Sequence, residues 1–256
     1  MGKKLSDIRD ALVVEQIKDL NEGVYDPGIF KAFFLAGGPG SGKSYVEKKT
    51  TTGLGLKVVN SDDIYEKMLK DAGLETTPED IFSDKGQEIR VKAKETTKAR
   101  QSNFLQGRLG VVIDGTGKDF DKIQRQAASL KQLGYDCYMI FVNTSEEVAQ
   151  ERNQMRKRTL PRDQVTTMWN GVQKNIGAFQ RFFGSKNFIV VDNNNATEDV
   201  LANVWKRVRA NVKTPERIIL QSSGSLTNLQ RREGDNSPSY ILLIITFFHH
   251  LLTSIF

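Results

Sequence analysis

Between residues 30 and 212, short apolar runs alternate with longer stretches whose apolar positions recur every three or four residues, the pattern of strands and helices taking turns. Five runs read as strands: residues 31–36 (KAFFLA), 57–60 (KVVN), 110–114 (GVVID), 136–142 (DCYMIFV) and 187–192 (NFIVVD), each bounded by Gly, Asn or Asp. The intervals read as helices over residues 42–50, 62–72, 83–106, 120–133, 145–157, 162–183 and 197–212. Thr144 and Ser145 precede Glu146 and Glu147, and Thr197 precedes Glu198 and Asp199, so two of these helices start with a capping hydroxyl followed by negative charge. Such alternation predicts βαβ units around a five-stranded parallel sheet flanked by helices, an α/β domain.

The pattern changes at both ends. Residues 1–29 place charges every few positions among apolar ones, which predicts an amphipathic helix and lacks the continuous apolar core of a signal peptide. Residues 215–239 are polar and show neither period. Residues 240–256 (YILLIITFFHHLLTSIF) carry no acid or base besides His249 and His250, and their 17 positions stand at the short limit for a membrane-spanning helix. A tail anchor touching a membrane, a packed terminal element and an extension past the natural domain all fit this composition. The expectation is an appended segment without catalytic role, which divides the chain into residues 1–29, 30–212 and 213–256.

Composition narrows the chemistry. The net charge of +6 and pI near 9.3 suit polyanionic ligands such as nucleotides or nucleic acid, although a surplus of this size is also ordinary surface composition. Cys137 is the lone cysteine, so the chain forms no internal disulfide and no cysteine-based zinc site, and a reducing cytoplasm is the expected compartment.

The strongest motif is GGPGSGKS, made of Gly37, Gly38, Pro39, Gly40, Ser41, Gly42, Lys43 and Ser44, which satisfies G-x-x-x-x-G-K-[ST] between a strand and a helix. Its glycines let backbone N–H groups close on phosphate oxygens, and the following helix points its positive end at the same anion. The expected ligands are ATP and Mg2+, with Lys43 on the β and γ phosphates and Ser44 on the metal. Switches and motors share this loop, so the loop alone does not define a phosphotransferase.

Three further elements bear on the reaction. Asp62 and Asp63 follow the second strand, where a carboxylate can take the proton of an acceptor hydroxyl; Asp62 is the candidate base, while helix capping by Ser61 and the two acids is the competing use. Asp114 ends the third strand ahead of Gly115, Thr116 and Gly117, and sits beside the phosphate loop if that strand neighbours the first; there it holds magnesium through water. Arg152 and Arg156 lie four apart and share a helix face, as a lid pair that neutralises transferring phosphate or as a solvated basic face, with Pro161 ending the run.

Taken in order, GGPGSGKS, VNSDD, VVIDGTG and EVAQERNQMRKRTLPRDQV resemble the P-loop kinases that include the phage polynucleotide 5′-kinase domain and the zeta-toxin sugar-nucleotide kinases. The resemblance spans residues 30–192 and implies a P-loop NTPase fold, nucleoside-kinase-like with an arginine-bearing lid. It further implies Asp62 as general base, Lys43, Arg152 and Arg156 as the cationic clamp, with Arg152 also on the nucleotide, and Ser44 with Asp114 as the metal residues. The implied partner is a small-molecule or nucleic-acid hydroxyl acceptor: a nucleic-acid 5′ end, a nucleotide, or a nucleotide sugar such as UDP-N-acetylglucosamine. Where polynucleotide kinases carry a substrate-binding arginine after the acid pair, this chain has Ile64, Tyr65 and Glu66. An ATPase or switch with no hydroxyl acceptor is the alternative of another class.

Overall fold

The computed structural model describes residues 28–155, 159–214, 220–222 and 225–227. In chain order the elements are β1 (Lys31–Ala36), α1 (Lys43–Thr51), β2 (Lys57–Val59), α2 (Ser61–Asp71), α3 (Pro78–Phe82), α4 (Asp84–Gln106), β3 (Val111–Asp114) and α5 (Phe120–Gln132). There follow β4 (Asp136–Asn143), α6 (Glu146–Gln154), α7 (Arg162–Gln173), α8 (Ile176–Phe183), β5 (Phe188–Asp192), α9 (Glu198–Lys213), β6 (Leu220–Ser222) and β7 (Ser225–Thr227).

The first five strands form one parallel sheet in the order β2-β3-β1-β4-β5. All six residues of β1 are buried, as the unbroken apolar run requires of a central strand covered on both faces. Ala32, Phe34 and Ala36 pack with Met139 and Phe141 beneath Ala127 and Leu130 of α5 and Phe179 and Phe183 of α8. The opposite face sets Phe33 and Leu35 with Ile140 and Val142 against Val46 of α1 and Leu201, Val204, Val208 and Val212 of α9. Burying a Leu, Val or Phe side chain stabilises by about 1.5–3 kcal/mol, so these two layers fix the sheet.

A third, smaller cluster stands apart: Tyr65 and Leu69 of α2, Ile81 of α3, and Ile89 and Ala93 of α4. These three helices fill the long crossover from β2 to β3 and hold together on their own core. The strand order reverses between β3 and β1, so the crevice at their C-terminal ends is where an open parallel sheet receives a ligand.

The expected five strands and their parallel order are present, with differences at particular residues. Asn60 ends no strand; it is the N-cap of α2, its side chain accepting from Asp62 N–H at 2.8 Å, and Ser61 is helical. A short α3 precedes α4, with Thr77 as its cap. The single helix expected over residues 162–183 is two, because Asn175 leaves the ladder and its side chain donates to the carbonyls of Gly117 (3.0 Å) and Lys118 (2.9 Å). Ser145 and Thr197 cap α6 and α9 as expected. The stretch read as lacking strand periodicity contains the antiparallel pair β6–β7, whose three-residue strands are too short for a period of two to register. Residues 1–27, Arg156 and residues 228–256 lie outside the described residues, and with them the amphipathic N-terminal helix, the second lid arginine and the hydrophobic tail. Among the described residues no helix is long and apolar enough to cross a membrane.

Candidate active site

The phosphate loop leaves β1 at the ligand-receiving edge and is shaped by what packs behind it. Gly40 has φ +74°, and a Cβ there would stand 2.2 Å from the Ala149 carbonyl oxygen of α6. Gly42 has φ +80°, and a Cβ there would meet Asn193 Nδ2 at 2.4 Å. Both positions therefore need glycine for backbone conformation and for space. Gly38 differs: its added Cβ would find only Trp169, at an ordinary 3.7 Å.

Two bonds pin the loop, and a third braces the segment beside it. Gly37 N–H donates to the Thr116 carbonyl at 3.1 Å, joining the loop to the turn after β3. Asn193, 4% exposed, donates through Nδ2 to the Ser41 carbonyl at 2.7 Å. Arg152 at the end of α6 donates through Nη2 to the Asn194 carbonyl at 2.9 Å, while its Nη1 is buried without a partner beside Gly42. Asn194 in turn accepts from Ser145 N–H at 2.7 Å. A buried polar atom without a partner is costly, so the unpartnered Ser41 Oγ and Arg152 Nη1 mark groups awaiting a polar ligand. No side chain caps the N-terminus of α1 and no acid sits in its first turn, leaving that end open to an anion.

Lys43 rests on the loop, its Nζ donating to the carbonyls of Gly37 (2.7 Å) and Gly38 (3.3 Å). Asp114 pairs in register with Leu35 on β1, which brings the third-strand acid beside the loop as its position implied. Burial pushes the Asp114 carboxyl up to about 6; Lys43 opposes that rise, and Asp62, Asp63 and Glu47 add to it. Its Oδ1 is buried and unpartnered. A half-buried carboxylate facing an ammonium, next to the exposed Ser44, is a donor set that fits magnesium, which takes one or two protein oxygens and completes its shell with phosphate and water. Among the described residues no three acids come close enough to chelate a metal by themselves.

Asp62 and Asp63 occupy the first turn of α2, exposed toward the same edge. Partial desolvation raises the Asp63 carboxyl, with Asp62 adding and Lys48 opposing. Glu47, on α1, is raised by burial, with the bond from Thr51 opposing and Asp63 adding. The fold thus brings Lys43, Asp62, Asp63 and Asp114 together and adds Glu47, which carries no motif. Asn60 already caps α2, so Asp62 has no capping duty and its side chain is free for other work.

Trp169 of α7 is held by a 2.9 Å bond from Nε1 to the Thr144 carbonyl and stands beside Gly38. A cavity of about 60 Å³ opens between β2, α2 and α4, bordered by Asn60, Asp63, Thr97, Arg100 and Phe104. That is room for about two waters, hence for one small polar group rather than a ring. Sequence reasoning missed Trp169, Arg100, Asn193 and Asn194; an Asp-Asn-Asn-Asn run at the end of a strand was the available signal for the last two. Cys137 is buried and its thiol is pushed up to about 12 by burial, which removes it from nucleophilic chemistry.

Solved structures of similar outline include a gluconokinase from Sinorhizobium meliloti 1021, 19% identical over 72% of this chain and 93% of that one, TM-score 0.42. Shikimate kinase from Aquifex aeolicus is 20% identical over 70% of this chain and 97% of that one, TM-score 0.44. The PezAT toxin-antitoxin system of Streptococcus pneumoniae is 16% identical over 83% of this chain and 96% of that one, TM-score 0.47. Likeness of this degree concerns chain outline only. No curated protein sequence matches the chain. The AAA domain profile matches residues 33–174, from β1 through the phosphate loop, both acids and Arg152 to the end of α7, and on that match the chain belongs to the AAA domain family.

Proposed function

We propose that the protein is an ATP-dependent kinase that passes the γ-phosphoryl group to a hydroxyl of a nucleic-acid 5′ end, a nucleotide or a nucleotide sugar. One observation carries this reading: an exposed carboxylate that does not cap its helix, Asp62, lies with Lys43 in the surroundings of Asp114 at the phosphate loop. Transfer to an alcohol needs a carboxylate that can reach its hydroxyl, and the cluster supplies one.

ATP with magnesium, when bound, supplies the phosphoryl group and screens its charge. The chain's residues do the rest. Loop amides and the head of α1 hold the phosphates, and Lys43 exchanges its two loop carbonyls for phosphate oxygens. Ser44 and Asp114 would hold the metal, whose charge would polarise the transferred phosphate. Arg152 brings its unpartnered Nη1 to the phosphate side. Asp62 accepts the acceptor's hydroxyl proton as that oxygen bonds to phosphorus and the bond to ADP breaks. Trp169, α2 and α4 keep water from the acceptor's place. A cytoplasmic location suits this chemistry.

The test is a transfer screen with terminally labelled ATP against 5′-hydroxyl DNA and RNA, nucleoside monophosphates and UDP-N-acetylglucosamine. Label moving to one acceptor class is expected. Transfer to UDP-N-acetylglucosamine alone selects the zeta-toxin-like reading; steady release of phosphate to water, indifferent to every acceptor, replaces the kinase with an ATPase or switch.

A further inference from the structure

The second half of α9 carries a feature that the catalytic cluster does not use. Lys206, Arg209 and Lys213 are exposed and spaced i, i+3 and i+7, so they line one side of the helix. With Ala210 they border a shallow open depression of about 280 Å³. Among the described residues none of the three takes part in an ion pair; the salt bridges there are Lys31–Asp136, Lys49–Glu198 and Lys92–Glu88. Arg209 lies over the Trp205 ring at 5.2 Å, and Trp205 is itself tied to the Thr52 carbonyl, so this guanidinium is held in place before any ligand arrives. From Leu201 to Lys213 the helix contains no acid.

Two ordinary explanations account for only part of this. A cation in the last turn complements the helix dipole, but that effect fades beyond one turn and covers Lys213 alone. A solvated basic face is usually interleaved with acids, and this one is not.

We infer that Lys206, Arg209 and Lys213 form a docking track for the phosphate backbone of a single-stranded nucleic acid, read by charge and not by sequence. Its cations advance about 4.5 and then 6 Å along the axis, a row suited to successive phosphates of one strand. An anionic membrane is the competing polyanion, but binding there also needs bulky apolar groups to enter the interface, and the only apolar lining here is Ala210. The track lies away from the catalytic cluster. The first turn of α9 meets α1 through Glu198 and Lys49, while its end meets Gly28 at the foot of β1. Lys206 is therefore about 12 Å and Lys213 about 22 Å along the helix from its catalytic end. The inference rests on α9 alone and stands or falls independently of the kinase reading.

The test is fluorescence anisotropy of the full chain with a 3′-fluorescein oligothymidylate bearing a 5′-phosphate, so that the strand is no acceptor, across a salt series. Three phosphate contacts give a slope of log affinity against log salt of about −2, or roughly fifteen- to twenty-fold weaker binding between about 50 and 200 mM salt. The triple variant Lys206→Gln, Arg209→Gln, Lys213→Gln should lose that part of the slope, while Arg209→Lys, which keeps the charge, should retain it. ATP binding by both variants confirms that they are folded. An unchanged slope in a triple variant that binds ATP overturns the track, as does a wild-type chain that ignores the strand at low salt. Vesicles of mixed phosphatidylcholine and phosphatidylserine that bind the wild type more tightly than the strand does reassign the face to membranes and likewise overturn it.

Discussion

Around the phosphate loop, elements far apart in sequence meet through buried hydrogen bonds, whereas across the cleft α2, α3 and α4 rest on a small core of their own. On the proposed donor side Asn193 and Thr116 each hold a different part of one loop, and Arg152 ties α6 to the Asn194 carbonyl beside it. On the proposed acceptor side the helices share five buried residues, and Asp62 and Asp63 are exposed. The contrast indicates which half is general and which is particular. On the kinase proposal, a triphosphate, one fixed object, is met by a fixed cradle, while the acceptor is met by a unit that can change without disturbing the sheet.

Five substitutions separate the two halves. The largest effect is expected from Asp62→Asn, which should lower phosphoryl transfer by about 100- to 10,000-fold while leaving ATP affinity within about twofold, as read by transfer assays beside calorimetric titration. Loss of ATP binding in this variant would merge the halves. Next comes Gly40→Ala, whose new methyl meets the Ala149 carbonyl in a left-handed conformation; about 2–5 kcal/mol of stability and measurable ATP binding should go with it. Gly38→Ala, with no such contact, should lose less than about 1 kcal/mol by the same denaturant titration.

Leu69→Ala opens a hole in the small helical core and should destabilise that unit by about 2–5 kcal/mol, seen as faster hydrogen exchange in α2–α4 with ATP affinity kept. The effect that depends on pH concerns Asp114. The fold favours its protonated form, so the penalty on the ionised acid is absent below about pH 4, grows as pH rises through about 6 and is complete above that. Asp114→Asn should therefore stabilise the ligand-free protein on the order of 2 kcal/mol near pH 8 and leave it unchanged near pH 4, by unfolding titrations at the two pH values. The same substitution should weaken magnesium-dependent ATP binding.

Much of the donor side could be read from residue order because each part is a local pattern. The apolar run of β1, the glycine loop and the strand-ending Asp114 each lie within a few consecutive positions, and the parallel sheet follows from the alternation. What escaped depends on distant partners. Asn193 and Asn194 read as a loop until β5 is placed beside β4, and the kink at Asn175 exists because the turn after β3 needs two carbonyls satisfied. Trp169 looked like one more apolar helix position; only the fold sets it beside Gly38. Glu47 lies on a helix with no acidic pattern, and its part in the cluster appears once α1 and α2 converge.

The hydrogen bond from Gly37 N–H to the Thr116 carbonyl ties the opening of the phosphate loop to the turn after β3. Any guest that presses on the turn after β3 must therefore tug the opening amide of the nucleotide cradle. Reciprocity then fixes the arithmetic: whatever factor a nucleotide lends to the hold on its co-substrate, the co-substrate returns to the nucleotide unchanged.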